Sequence, residues 1–307
     1  MVKSLCNCNT GFTLRLEGKD MMRYVDTIAV KNNIREKFVP SKSGVNGDRV
    51  FLSENYVIKF FEGRKKKYYS NELLIYSKLI SEYRSSLIDT GEVNSIKYIV
   101  MTRSKGDTLY SIWNKLSFKE RENCVEQIAN ILKEITKIRP IQTIDFRKEL
   151  TNSYESAIKS IELSKGMLQR VMIFFSENIK YISQSEKGYL SYIDVHFDNF
   201  LYFDGKVKAI DFEALKVVPL DYQMDRWCRM CRHPQIYANK ADKLKIKTKD
   251  YADIIVLMKK FYEEAFSFKN QDERLHLYSL IYNLNVMKKH NIKEGEMEEF
   301  LNEDMFL

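Results

Sequence analysis

The sequence is poor in the residues that make linkers. Only 4 prolines and 11 glycines stand in 307 residues, which leaves little material for a long flexible connection. It also lacks a long apolar run: the longest, Ile254-Ile255-Val256-Leu257-Met258, is far short of the ~20 residues of a membrane span. The first residues, Met1-Val2-Lys3-Ser4-Leu5-Cys6, hold no apolar stretch of signal-peptide length. The expectation is a cytoplasmic chain with no membrane partner. Five cysteines are too few, and odd in number, for a disulfide framework in a chain this long. Cys228-Arg-Met-Cys231, with His233 beyond, has the spacing of a metal-ligand pair. No second pair stands at zinc-finger spacing, so reduced thiols are expected there. The 4 histidines are scattered, which excludes a histidine-rich metal centre.

What is present fits a folded protein. Hydrophobic residues make up 44% and charged residues 30%, against wholesale disorder. The formal charge is +8, but apart from Arg64-Lys65-Lys66-Lys67 the basic residues are spread along the chain. No aromatic-basic recognition motif accompanies them, so a solvated basic face is expected and no nucleic-acid partner.

The first half reads as strand-rich and the second as helical, without repeats. After a helix near Asp20–Asn32, short β-like segments follow at Lys37–Pro40, Arg49–Leu52 and Tyr56–Phe61, separated by turn residues, as in an antiparallel meander. A helix is predicted over Tyr69–Tyr83 and a further strand over Lys97–Thr102. From Thr108 the periodicity is helical. One amphipathic helix is marked by Ile128, Ile131, Leu132 and Ile135, and another covers about Ser153–Gln184. Gly106 is the natural hinge between the two regions.

The stretch that carries chemistry runs from Tyr192-Ile193-Asp194 through His196 to Asn199, then Phe200-Leu201-Tyr202-Phe203. After the turn Asp204-Gly205 it continues Lys206-Val207-Lys208-Ala209-Ile210-Asp211-Phe212-Glu213. A loop with Asp and, five residues later, Asn thus leads into a hairpin whose second strand delivers another Asp. The hairpin folds the chain back so that Asn199 and Asp211 approach each other, with Asp194 close by. Singly, Asp194 reads as a turn cap and Asn199 as a loop residue. Together they supply what phosphoryl transfer needs: a carboxylate to aim and deprotonate a hydroxyl, and hard oxygen ligands for magnesium.

With these residues the sequence resembles the aminoglycoside phosphotransferase and choline kinase group, relatives of the protein kinases. Asp194 and Asn199 match the family's His-Gly-Asp-x4-Asn loop, and Asp211 its Ile-Asp-Phe segment. The resemblance implies Asp194 as catalytic base, Asn199 and Asp211 as magnesium ligands, and His196 as a structural hydrogen-bonding residue. Upstream, Ser43-Gly44-Val45-Asn46-Gly47 resembles the loop whose backbone amides cover the nucleotide phosphates, with Ser43, Gly44 and Asn46 as contacts. Lys59 resembles the phosphate-binding lysine and Glu72 its ion-pair partner. The Ile99–Arg103 segment, with Met101 and Arg103, stands where that family reads adenine. Pro219–Asp225 looks like the helix-opening segment in which an aspartate braces the catalytic loop. Two positions depart from the family pattern: its loop histidine is Tyr192 here and its glycine is Ile193.

The implied architecture is a bilobal, protein-kinase-like α+β fold. Residues 1–104 form a nucleotide-binding lobe, a small antiparallel sheet with one main helix. Residues 105–307 form a helical lobe with the catalytic loop and acceptor site. The implied reaction uses ATP and magnesium on the hydroxyl of a small molecule, with an aminoglycoside-type antibiotic leading and choline, amino-sugar or other metabolites as competitors. A nucleotide-binding pseudokinase is the rival from another class. Asp198, Glu213 and the acidic tail Glu294–Asp304 are the carboxylates expected to meet a polycationic acceptor, the tail folding back near Asp194.

Overall fold

The computed structural model of the protein describes residues 18–41, 49–234, 246–290 and 301. The expected phosphate loop, with Ser43, Gly44 and Asn46, and the acidic side chains of the 294–304 tail lie outside the described residues. The chain divides into two compact units, Met1–Leu73 with Ser86–Arg103, and Leu74–Ser85 with Ser104–Leu307. Among the described residues no helix is long and apolar enough to cross a membrane.

In chain order the elements are α1 (Gly18–Lys31), β1 (Val39–Pro40), β2 (Val50–Leu52), β3 (Tyr56–Phe61), α2 (Lys66–Lys78), β4 (Leu87–Val93) and β5 (Ile96–Thr102). These are followed by β6 (Asp107–Thr108), α3 (Leu109–Ile112), α4 (Phe118–Lys137), β7 (Gln142–Ile144), α5 (Phe146–Ile158) and α6 (Lys165–Asn178). Next come β8 (Glu186–Tyr192), β9 (Phe200–Phe203), β10 (Lys206–Ala209), β11 (Leu215–Val218) and α7 (Leu220–Arg232). Among the described residues the helices α8 (Ile254–Phe261) and α9 (Gln271–His290) follow.

The first unit is built on a five-stranded antiparallel sheet in the order β1-β2-β3-β5-β4. Its core joins Met21, Val25, Ile28 and Ala29 of α1 to Phe51, Ile58, Phe60, Tyr98 and Val100 of the strands. The apolar stripe of α1 at helical spacing thus covers the alternating inward side chains of β2, β3 and β5. Strand β4, which carries no apolar alternation, joins β5 through Asn94 and Ser95, both at positive φ (45° and 63°). Such a two-residue turn matches the right-handed twist of the strands it connects.

The second unit carries two three-stranded sheets, β10-β9-β6 and β11-β8-β7, among its helices. A capping box opens α4: the Ser117 side chain accepts from the Glu120 amide and Glu120 reaches back to Ser117. The α4 residues Ile128, Ile131, Leu132 and Ile135 are fully buried. The single helix expected over Ser153–Gln184 is two helices. The chain breaks after Ile158 and restarts at Lys165, where Ser164 caps the new N-terminus by accepting from the Met167 amide. Gly106 lies just past the boundary between the units, packed on β9. Its φ is +117°, and a Cβ there would stand 2.4 Å from the Tyr202 carbonyl oxygen, where β6 meets β9.

The aspartates of the segment opening α7 serve the helix packing. Asp221, wholly buried, accepts two hydrogen bonds from Arg274 of α9 (2.6 and 3.1 Å), and Arg274 also bonds Glu186 at 2.8 Å. Asp225 takes both Nε and Nη2 of Arg229 (3.1 and 2.6 Å) and the hydroxyl of Ser279 on α9. None of these partners lies in the 193–199 loop, so the loop-bracing role expected for this segment is not where its carboxylates are used. Cys228 and Cys231 are free and buried. Burial pushes the Cys228 thiol up to about 12, and Cys231 donates to the Trp227 carbonyl.

Arg274→Met removes the fork from a wholly buried carboxylate. The expected loss is ~3–5 kcal/mol of stability, to be read as a lowered urea midpoint with an unchanged slope.

Candidate active site

The segment from Tyr192 to Leu215 folds because its ends are laced together. Strands β9 and β10 pair Phe200 with Ala209 and Phe203 with Lys206, closing on Asp204 and Gly205 at positive φ (48° and 75°). This is the two-residue turn that Asp-Gly favours. The pairing runs one step past the strand end, where the Ile210 amide donates to the Asn199 carbonyl (2.9 Å). On the other side β8 pairs with β11, Tyr192 opposite Leu215, and the Ile193 amide donates to the Ala214 carbonyl (2.9 Å). The 193–199 loop and the 210–214 segment are therefore fixed to each other at both ends. From α4, Gln127 grips the hairpin tip through the Val207 amide and the Gly205 carbonyl (both 2.9 Å).

Alternation within the loop decides which side chains are left for chemistry. Val195 and Phe197 point into the core and are fully buried. The Phe197 ring lies among Trp113, Trp227, Tyr110 and Tyr251, with ring centroids 4.5 to 5.7 Å away. Anchored there, the short turn Phe197–Asn199 presents the Asn199 side chain back to Asp194. Asn199 Nδ2 donates to the Asp194 carbonyl (3.0 Å) and lies 3.1 Å from His196 Nε2. With the nitrogen so engaged, Oδ1 is the atom of Asn199 left as an oxygen donor.

Asp211 is exposed and sits at φ +60°, a conformation that costs a non-glycine residue about 1–3 kcal/mol. Its carbonyl is held by the Tyr192 hydroxyl (3.1 Å), which also reaches the Ile210 carbonyl (3.4 Å). Tyr192 is fully buried, and its ring packs on Phe212 at 5.7 Å. Tyr192 thus supports the Asp211 backbone with a hydrogen bond, beyond filling space.

Asp194 is half-buried. Arg226 of α7 places Nη1 at 2.7 Å from Oδ1, and His196 Nε2 lies 3.6 Å from the same oxygen. Burial pushes the Asp194 carboxyl up. The contacts with His196, Arg226 and Asn199 outweigh that and hold it down at about 2. Arg226 was not legible as a site residue, because nothing local in the sequence ties α7 to the loop 32 residues earlier.

Within the first unit, Lys59 of β3 and Glu72 of α2 form a buried ion pair at 2.6 Å, the partnership the sequence suggested. The Lys59 ammonium also lies over the Phe61 ring, 5.5 Å from its centroid. Met101 is buried in β5 opposite Val57. Arg103 has its amide bonded to the Asn55 carbonyl and its guanidinium to the Ser53 carbonyl, both at 2.7 Å. Its polar donors fasten the β2–β3 turn.

No family model matches the chain, and no curated protein matches its sequence. Solved structures do match. One is a streptomycin–ATP ternary complex of aminoglycoside phosphotransferase APH(2")-IIa. It has a TM-score of 0.64 at 16% identity, covering 92% of this chain and 96% of that one. The ADP-bound aminoglycoside phosphotransferase APH(2'')-Ib has a TM-score of 0.63 at 14% identity, covering 91% and 95%. An amicoumacin kinase in complex with AMP-PNP and Ca2+ has a TM-score of 0.55 at 11% identity, covering 93% of both chains. At these identities the likeness defines the fold: the chain has the protein-kinase-like fold of the aminoglycoside phosphotransferases.

Two outcomes are expected from this geometry. Carbon-13 NMR of the Asp194 carboxyl should show a midpoint near 2, against ~3.9 for a free aspartate. A depressed carboxyl contributes stability that is complete above pH ~4 and is lost as pH falls through its folded value. Tyr192→Phe keeps the ring and removes the hydroxyl. It should cost about 1 kcal/mol, measured by denaturant unfolding, because the Ile210 and Asp211 carbonyls lose their shared donor.

Proposed function

We propose that the protein is an ATP- and magnesium-dependent phosphotransferase acting on a hydroxyl of a small molecule, with an aminoglycoside-type antibiotic as the leading acceptor. One observation carries this reading. A half-buried carboxylate, Asp194, stands on a loop whose far end, Asn199, is hydrogen-bonded to the residue before Asp211. Base and metal donors thereby belong to one laced unit.

The donor set fits magnesium. Asn199 offers Oδ1, and exposed Asp211 offers a carboxylate, two hard oxygens of the kind that hold this ion beside substrate phosphates. When bound, magnesium would neutralise charge on the phosphate oxygens. In the first unit, Lys59 is a cation pre-aligned by Glu72 and is the residue assigned to the phosphates. Met101 and Arg103 mark the segment assigned to adenine, with Ser43, Gly44 and Asn46 as the phosphate loop.

A carboxyl held near 2 is a weak base, so Asp194 acts chiefly by aiming the acceptor hydroxyl. It takes the proton as the new O–P bond forms and the P–O bond to ADP breaks. The fold shared with structures described in complex with streptomycin and gentamicin supports the choice of acceptor class. So do the half-buried carboxylates of Asp198 and Glu213 flanking the loop and hairpin.

The test is mass-spectrometric screening of hydroxyl compounds with ATP and magnesium. The panel spans aminoglycosides, amino sugars and choline. A phosphorylated aminoglycoside is expected; a phosphorylated choline or simple sugar would move the acceptor class, and no product at all would sink the phosphotransferase reading. With the acceptor in hand, Asp194→Asn should lower kcat by about 10²–10⁴-fold while calorimetry finds ATP binding unchanged.

A further inference from the structure

Arg226 lies outside the motif that identified the site, and it makes the shortest contact that Asp194 receives. We propose that Arg226 is a positioning residue for the catalytic base. It occupies Asp194 Oδ1 and thereby leaves Oδ2 as the oxygen that receives the acceptor proton. The proposal rests on the phosphotransferase reading of the site.

The case begins with the two oxygens. Oδ1 takes Arg226 Nη1 at 2.7 Å and has His196 Nε2 at 3.6 Å, whereas Oδ2 has one long contact, 3.5 Å from Asn199 Nδ2. A carboxylate turns about a broad, roughly two-fold torsion, so an unrestrained one presents a given lone pair to the hydroxyl only part of the time. A short charge-assisted bond to one oxygen fixes the plane and aims the other. Arginine suits this role because it stays protonated and donates only. It holds Oδ1 before and after Oδ2 takes the proton, and it does not compete for that proton.

The guanidinium is itself mounted on the helical core. It lies over the ring of Tyr282 of α9, 5.3 Å from the centroid, and Arg229 one turn along α7 stacks on the same ring at 3.4 Å. Arg229 in turn is forked onto Asp225, which also accepts from Ser279 of α9. The line Asp225, Arg229, Tyr282, Arg226, Asp194 therefore runs from a buried ion pair within α7, across a ring of α9, to the base. Side chains of Arg226 and Asp194 are 25% and 31% exposed, so the pair is far less screened than a surface ion pair, whose contribution is usually small.

The experiment compares wild type, Arg226→Met and Arg226→Lys on the acceptor found by screening. ATP hydrolysis to water is also followed, as an acceptor-independent readout. Arg226→Met should lower kcat by roughly 30- to 100-fold with KM for ATP within about two-fold. Arg226→Lys, which keeps the charge, should recover part of the loss. In an Asp194→Asn background Arg226→Met should change nothing further, since residues acting as a unit are not additive. Arg226→Gln takes the place of Arg226→Met if the latter does not fold. A kcat within about two-fold of wild type, a parallel loss of ATP affinity, no recovery with lysine, or an undiminished effect in the Asp194→Asn background would each overturn the assignment. Wild-type protein that turns over neither any acceptor nor water marks failure of the phosphotransferase reading itself, a result visible before any variant is made.

Discussion

The backbone hydrogen bond from Ile210 to the Asn199 carbonyl is the constraint on which the site depends. It is the last rung of the β9–β10 ladder, and it sets the Asn199 side chain beside the segment that bears Asp211. The matching bond from Ile193 to Ala214 closes the other side. Between these fastenings the loop has little freedom, and Phe197 in its aromatic cage removes much of what remains. The left-handed conformation of Asp211 is tolerable under these conditions. Its strain is held against the Tyr192 hydroxyl and the buried Phe212 ring, so the carboxylate is presented from a fixed backbone.

A second layer of organisation comes from charge buried between helices. Asp221 with Arg274 ties α7 to α9, and Asp225, paired within α7 with Arg229, reaches α9 through the Ser279 hydroxyl; these buried pairs would be costly to break from one side. Such pairs add little net stability over apolar packing, but they fix orientation. The orientation matters because α7 also carries Arg226 to Asp194. Fold and candidate site thus share one helix: its buried carboxylates lock it, and one arginine of its more exposed face meets Asp194.

Local signals made part of this legible in the sequence. Asp204-Gly205 between two apolar runs specifies a tight hairpin, and that hairpin is what brings Asn199 toward Asp211. The pairing of Lys59 with Glu72 was legible through the family resemblance, not from local spacing. The rest depended on contacts between segments far apart in the chain. Strand β4, Leu-Ile-Asp-Thr-Gly-Glu-Val, has no apolar alternation because it lies at the sheet edge, so only its pairing with β5 defines it. Strands β8 and β11 are joined across the whole 193–214 segment and announce themselves nowhere locally. The break between α5 and α6 turned on one capping serine inside a run of acceptable helix formers. The partners of Asp221 lie on α9, 53 residues away, which no local spacing rule reaches.

If the laced segment is a phosphoryl-transfer site, its two oxygen donors must bind magnesium together with the nucleotide. The most direct measurement is calorimetric titration of ATP, with and without magnesium, into the wild-type protein and Asp211→Ala. The account predicts that magnesium tightens ATP binding in the wild type and brings no comparable gain in the variant. An equal magnesium-dependent gain in both proteins would contradict it.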